Sequence, residues 1–490
     1  MKKIAIIAII AIIFILAGCK ESFLDLTPDN SNSAGNFYQT KDQFIQAVNA
    51  AYAPLGGIHT GTLWLLTELR SDNGSYQQNT ADRSGINREE IDEFRETDQN
   101  VNLQSFYTAS YLGISRCNIV LEKIGGATFD QPTRDRLEGE ALFLRAFYYF
   151  NLVRTFGDVP LILKVIATPD EAFQTATRVP EAQIYTQIVT DLKAAIVKLP
   201  AKYAAVDLGH TTSGAAKAIL GKVYLTQKNF TEAANILKTI ETEGGYSLVA
   251  NYADNFKKKN GAESILEIQY AEGAGGKSSN FAYSFAPYNA GTTVTGFALL
   301  TGSGSGWNIP TQDLIESYEA GDKRFVASIN QTFKDPGMKV VPYVQKYANP
   351  PYLERFNTWD NFPVTRLADV LLMQAEALNE AGYPNAEAFT LLNRVRTRAG
   401  LAAKTADNVD PKLKIASQVE FRAALAQERR VELAFENHRW FDLVRTGQAD
   451  VVLKAHAVKE KALKSYLLPA AYATINLKFP YPFRETQLKK

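Results

Sequence analysis

Two stretches of the chain combine aromatic rings with hydrogen-bonding side chains in turn-rich surroundings. One is Arg70-Ser71-Asp72-Asn73-Gly74-Ser75-Tyr76, just after Trp64. The other runs from Asn280 to Asn289, with Trp307-Asn308 beyond it. Such places suit sugars. The C–H face of a sugar ring is apolar and stacks on an aromatic face, while its hydroxyls need Asn, Asp, Arg or backbone partners around the edge. The candidate ligand-binding residues are therefore Trp307, Tyr288 and Tyr283, together with Arg70, Asp72, Asn73 and Tyr76. Trp307 leads because a Trp in a Gly-Ser-rich loop has little local helix to pack against. Trp64, Phe281 and Trp359 are the other aromatics read as exposed in irregular segments.

Bond-breaking chemistry has no comparable footing. His59, His210, His438 and His456 are not spaced as metal pairs, and no His-Glu-x-x-His or Gly-x-Ser-x-Gly string occurs. Acidic neighbours such as Glu89-Glu90 and Asp92-Glu93 read as a solvated surface, whereas a glycosidase needs two carboxylates facing each other across the scissile bond. The run Gly302-Ser303-Gly304-Ser305-Gly306 lacks the Lys-Ser/Thr of a phosphate-binding loop. The expectation is a binding protein with no catalytic residue, no metal and no cofactor.

The N-terminus reads as an export signal. Lys2 and Lys3 precede an apolar run over residues 4–16, too short for a comfortable membrane span. Leu16-Ala17-Gly18-Cys19 resembles a bacterial lipobox, in which cleavage before the Cys frees an amino group and thiol for acylation. Several acyl chains give stable anchoring, at roughly 0.8 kcal/mol per buried CH2. No Asp follows Cys19, which fits an outer-membrane destination. Without residues 1–18 the chain keeps 51 basic residues against 52 acidic ones, near neutrality, so neither nucleic acid nor an anionic lipid surface is an expected partner. Cys117 is the one other cysteine, placed in a helical pattern as a small buried residue.

These features must be positioned by helices. Residues 41–52 put Phe44, Ile45, Ala47, Val48 and Ala51 on one side, a longer helix covers 101–124, and Pro132 opens a third that runs through Arg154. In that third helix the aromatic stripe at 143–150 has core spacing, and Gly157 and Pro160 end it. Leu220, Gly221, Tyr224, Phe230, Ala233 and Leu237 match the spacing of a tetratricopeptide repeat, and Ala375, Leu378, Gly382, Ala388 and Leu392 form a looser copy. Further helices at 180–199 and 364–380 extend the array. Residues 244–363 differ, being rich in Gly, Tyr, Phe, Ser and Asn, with residues 264–270 alternating like a half-buried strand.

Residues 428–445 weave charges of both signs through Phe435, Trp440, Phe441 and Val444, at separations that let Glu and Arg meet on a helix. As a string, this stretch resembles the C-terminal signature of the SusD/RagB family of surface lipoproteins. Residues 137–160, the repeat at 215–240 and the segment Arg366-Leu367-Ala368-Asp369-Val370-Leu371 extend the resemblance, as do the lipobox and the Phe23-Leu24-Asp25-Leu26-Thr27-Pro28 phrase. The chain departs from the family at its end, where Phe479-Pro480-Tyr481-Pro482 begins a Pro-rich phrase that stops short.

The resemblance implies a mostly α fold: a tetratricopeptide-like helical-repeat scaffold with a long loop-rich insertion containing short β-strands. It divides the chain into a signal peptide (1–18), a lipidated tether (19–36), an N-terminal helical-repeat part (37–243), a ligand-binding insertion (244–363) and a C-terminal helical part closing the same fold (364–490). It implies a surface-exposed, lipid-anchored protein of the outer membrane that captures an oligosaccharide or other nutrient for a SusC-like TonB-dependent transporter. Readings from other classes are a surface glycoside hydrolase or peptidase, and a repeat scaffold that binds only protein.

Overall fold

A capping box fixes the first helix, Lys41–Ile58. The Thr40 hydroxyl accepts from the Gln43 amide at 3.3 Å, and the Gln43 side chain accepts from the Thr40 amide at 3.0 Å. The apolar side read from the sequence is buried at Phe44, Ala47, Val48 and Ala51. The helix outlasts that pattern, because two π-helical turns, His59–Leu63 and Leu65–Leu69, carry it on to Arg70. Wide turns of this kind recur near functional sites. The computed structural model describes residues 37–487 except 81–82, 274, 276, 289, 298–304 and 336. The signal segment, the tether and Cys19 lie outside the described residues.

The next two helices are Val101–Lys123 and Gln131–Phe156. Asn100 and Asp130 cap them through side-chain oxygens, and Pro132 stands in the first turn of the second, where a missing N–H costs nothing. Phe143, Phe147, Tyr148, Tyr149 and Phe150 are buried, as their spacing predicts, and so is Cys117, whose thiol is pushed up by burial. Helix Gln131–Phe156 packs on Glu181–Lys198, which packs on Ser213–Thr226, which packs in turn on Phe230–Leu237. The last of these rests on Leu367–Ala381, itself covered by Ala386–Arg398 and Gln418–Glu432. The array thus resumes after a long excursion. At its repeat-like step a Cβ on Gly221 would lie 2.5 Å from Leu237 Cδ2, so only glycine allows the two helices to come this close.

The excursion is tied off at its root. Strand Ser264–Ile268 pairs antiparallel with Phe362–Arg366, matching Ser264 with Arg366 and Ile268 with Phe362. This differs from the sequence reading in two ways. Residues 265–268 are buried on both faces, so the expected half-buried alternation is absent. The segment around Val364 is strand before it is helix, and Leu367 starts the helix.

The charges of residues 428–445 also behave unlike the local expectation. Their partners lie mostly on distant segments. Arg366 binds Glu263 at 2.5 Å, Glu432 at 3.0 Å and Glu436 at 2.8 Å. Arg324 binds Glu428 at 2.6 Å, Glu432 at 3.1 Å and Asp322 at 2.7 Å. Arg398 reaches Glu432 at 2.6 Å, Arg396 reaches Glu428 at 2.9 Å, and Lys346 reaches Glu436 at 2.7 Å. These side chains are almost wholly buried. Only mutual neutralisation with good hydrogen-bond geometry keeps such a cluster charged away from water.

Candidate ligand-binding site

The structure joins the two stretches that the sequence singled out. Gly74 and Ser75 pair antiparallel with Pro310 and Ile309. The Gln77 amide donates to Gly306 O at 2.8 Å, the Gly306 amide to Ala286 O at 2.7 Å and the Trp307 amide to Ser284 O at 3.0 Å. The Gln77 side chain accepts from the Tyr288 amide at 2.9 Å. Residues 74–77, 284–288 and 306–311 therefore form one layer.

Exposure within that layer corrects the sequence reading. Arg70 is fully buried. It pairs with Glu96 at 2.6 Å, donates to Asn476 O at 2.9 Å and stacks on Phe94, Phe479 and Trp440. Burial alone would raise the Asp72 carboxyl, but Arg439 at 2.7 Å and Arg430 at 2.8 Å outweigh it and hold the group well below the usual carboxylate range. Asn73 accepts from Arg430 Nε at 2.9 Å, and the Tyr76 hydroxyl donates to Glu93. These four side chains are occupied inside the protein because oppositely charged or polar partners from the C-terminal helices and from residues 93–96 close over them.

The rings are likewise more covered than expected. Trp64, Phe281 and Tyr283 are buried, and Trp307 is 5% exposed. Gly85 lets a loop lie flat on the Trp307 indole, since a Cβ there would fall 2.4 Å from Cζ2. Tyr76 packs at 6.0 Å between centroids, and the Arg88 guanidinium stands 5.1 Å over the indole. Tyr288 and Trp359 remain half-buried.

The sequence reading missed Arg88, Arg355, Phe356 and Asn357. Phe356 is 40% exposed, with its ring 4.8 Å from Tyr283 and 5.0 Å from the Arg355 guanidinium. Its φ of +60° is uncommon for a bulky residue. Ser279 and Thr358 exchange backbone hydrogen bonds of 2.9 and 3.0 Å, which brings Asn280 and Asn357 together. Asn280 Oδ1, Asn357 Oδ1 and Tyr283 Oη are buried without a hydrogen-bond partner among the described residues. A signal was available: 355–361 reads Arg-Phe-Asn-Thr-Trp-Asp-Asn, the same mixture of rings and amides as 280–289. What this layer offers chemically is ring faces, amides and guanidinium groups, which are recognition groups. Two clefts lie elsewhere. One of about 250 Å³ is lined by residues including Tyr52, His210, Gln269 and Lys277, and one of about 380 Å³ by residues including Lys257, Lys323 and Asn349. None of the sequence-predicted site residues lines either cleft.

Comparison with known proteins addresses the fold and its family. The pattern described as "SusD family" matches residues 331–487, and that described as "Starch-binding associating with outer membrane" matches residues 22–225. SusD-like protein P2 of Formosa agariphila is 28% identical over 507 aligned positions, covering 96% of each chain. A SusD-like protein of Bacteroides ovatus is 28% identical over 90% of this chain and 82% of its own length. Among solved structures, a laminarin-binding SusD-like protein superposes with a TM-score of 0.75 at 28% identity, covering 92% of this chain and 98% of that one. Surface glycan-binding protein A from Bacteroides uniformis gives 0.70 at 26% identity, covering 83% and 88%. With both ends of the chain matched separately and the whole fold shared, the chain belongs to the SusD/RagB family.

Proposed function

We propose that this chain captures a glycan at the cell surface and hands it to a SusC-like TonB-dependent transporter, making and breaking no bonds itself. Carbohydrate binding is supported at the level of the family by neighbours that carry laminarin and surface glycans in their names. The observation that carries the reading for this chain is the loop layer, where half-buried Tyr288 and exposed Phe356 stand over buried rings and the amides of Asn280 and Asn357. Ligand contact falls on Tyr288 and Phe356, with Tyr283 and Trp307 behind them. Arg70, Asp72, Asn73 and Tyr76 hold the layer in place from below.

Calorimetric titration with a panel of oligosaccharides tests this, with product analysis in parallel. Binding without turnover is expected; turnover of a bound glycan would return the protein to the hydrolases. Tyr288→Ala should weaken binding by about 1–2 kcal/mol, as removal of one aromatic anchor does, and leave thermal melting in place. Trp307→Ala should lower both, because Gly85 and Tyr76 pack on the indole. Normal binding by both variants would move the site elsewhere.

Attachment rests on Cys19. Cys19→Ala should abolish fatty-acid labelling and release the protein from the membrane fraction. A variant that still labelled and sedimented with membranes would refute the anchor.

A further inference from the structure

Buried arginines in this chain generally meet carboxylates, as Arg324, Arg366, Arg396, Arg429 and Arg439 do. Two arginines of the loop layer do not. Arg88 faces the Trp307 indole at 5.1 Å, with no carboxylate partner among the described residues. Burial lowers its pKa, and Tyr288 offsets part of that effect.

Arg355 is the stronger case. Its Nε and Nη2, the adjacent pair that can grip one anionic group side-on, are both buried and have no hydrogen-bond acceptor among the described residues. A buried donor left unmade is costly, so an unused pair of donors is a feature to be explained. The surroundings are those of a ligand contact. Phe356 covers the guanidinium and is itself 40% exposed. Tyr283 Oη, Asn280 Oδ1 and Asn357 Oδ1 wait unpartnered nearby. The acids of the same region are already engaged. Glu272 accepts from the Leu353 amide at 3.0 Å, Glu354 from Asn357 at 3.2 Å, and Asp360 from Tyr352 at 3.0 Å. Arg88 stands over Trp307 and Arg355 over Phe356, which packs on Tyr283, and the segments carrying Trp307 and Tyr283 are joined by the Trp307 amide donating to Ser284 O.

We infer that the glycan this site takes is anionic, carrying carboxylate or sulfate groups, and that Arg355, with Arg88 as a second contact, reads its charge. The inference rests on the glycan-capture reading above. A neutral glycan offers Arg355 only hydroxyl oxygens, whereas an anionic one supplies a charged acceptor for its two buried donors and a countercharge for Arg88.

The test is titration of the purified protein with three oligosaccharides of equal length: a neutral β-glucan, an oligogalacturonate and a sulfated galactan. At least one anionic ligand should bind about tenfold more tightly than the neutral one, the size of effect expected from one charge-assisted contact. Its advantage should shrink between about 50 and about 500 mM salt. Which of the two binds distinguishes a carboxylate from a sulfate. Arg355→Gln should erase most of the anionic-to-neutral affinity ratio, and Arg355→Lys should restore it only partly, because an ammonium keeps the charge but not the fork. Arg88→Gln provides an independent variant should Arg355→Gln fail to fold. Equal or better binding of the neutral ligand, or an unchanged ratio in folded Gln variants, overturns the inference while leaving glycan capture standing. If no oligosaccharide of the wider panel binds either, glycan capture itself falls, and this inference with it.

Discussion

Arg366→Ala is expected to lower the unfolding free energy by about 3–5 kcal/mol, the range for breaking a buried ion pair from one side. Arg366 contacts Glu263, Glu432 and Glu436, all buried, so its loss strands negative charge where water cannot reach. Urea unfolding followed by tryptophan fluorescence measures it, and a loss below about 1 kcal/mol would show that the cluster relaxes or hydrates freely. The same cluster gives the acid limb of stability its sign. Burial alone would raise Glu432, but Arg398, Arg366 and Arg324 overcome it, and Arg366 with Lys346 does the same for Glu436. Both carboxyls therefore sit below their unfolded values. Their contribution is complete above the ordinary glutamate range, near pH 4, and is lost as pH falls through and below it. In Arg366→Ala that limb should flatten.

Trp440→Ala is expected to cost about 3–5 kcal/mol, as large-to-Ala changes in a core do. Its indole is fully buried against Phe94, in a cluster that includes Leu443, Leu453 and Tyr472. The indole nitrogen has no hydrogen-bond partner among the described residues. Trp440→Phe should accordingly cost less than half as much, since it removes an unsatisfied donor and keeps most of the ring. Thermal melting of the two variants separates volume from polarity. Comparable losses would mean that the nitrogen matters, for instance through an ordered water.

Periodicity carried the scaffold. Helices 101–124 and 131–156 and the repeat at Gly221 were legible because their burial follows from spacing within one element. What escaped depends on partners far away in the chain. Val364 reads as helix until Ser264–Ile268 pairs with its segment. The Glu and Arg of 428–445 read as neighbours on a helix because nothing in the string names Arg324, Arg366 or Asp72. Trp307 sits in a Gly-Ser loop that looks open, yet Gly85, more than two hundred residues earlier, lies against its ring. Within the candidate site the regions were legible and the roles were not. Rings and amides announce themselves by type, whereas Arg88 and Arg355 stand out only once the fold sets them over Trp307 and Phe356.

The placement of Asp72 bears on how the chain reaches its native state. Arg430 and Arg439 neutralise a carboxylate from the first sixth of the sequence, and Phe479 and Asn476 close over Arg70 beside it. An emerging chain cannot complete this junction until its last fifth has arrived. Contacts of such sequence separation carry the full entropy of closing a long loop and form slowly. A fragment ending before Gln418 would leave Asp72 without Arg430 and Arg439, and would leave Arg324, Arg366 and Arg398 with only Asp322 and Glu263 between them. The junction at Asp72 is therefore among the last parts of the fold that can be completed.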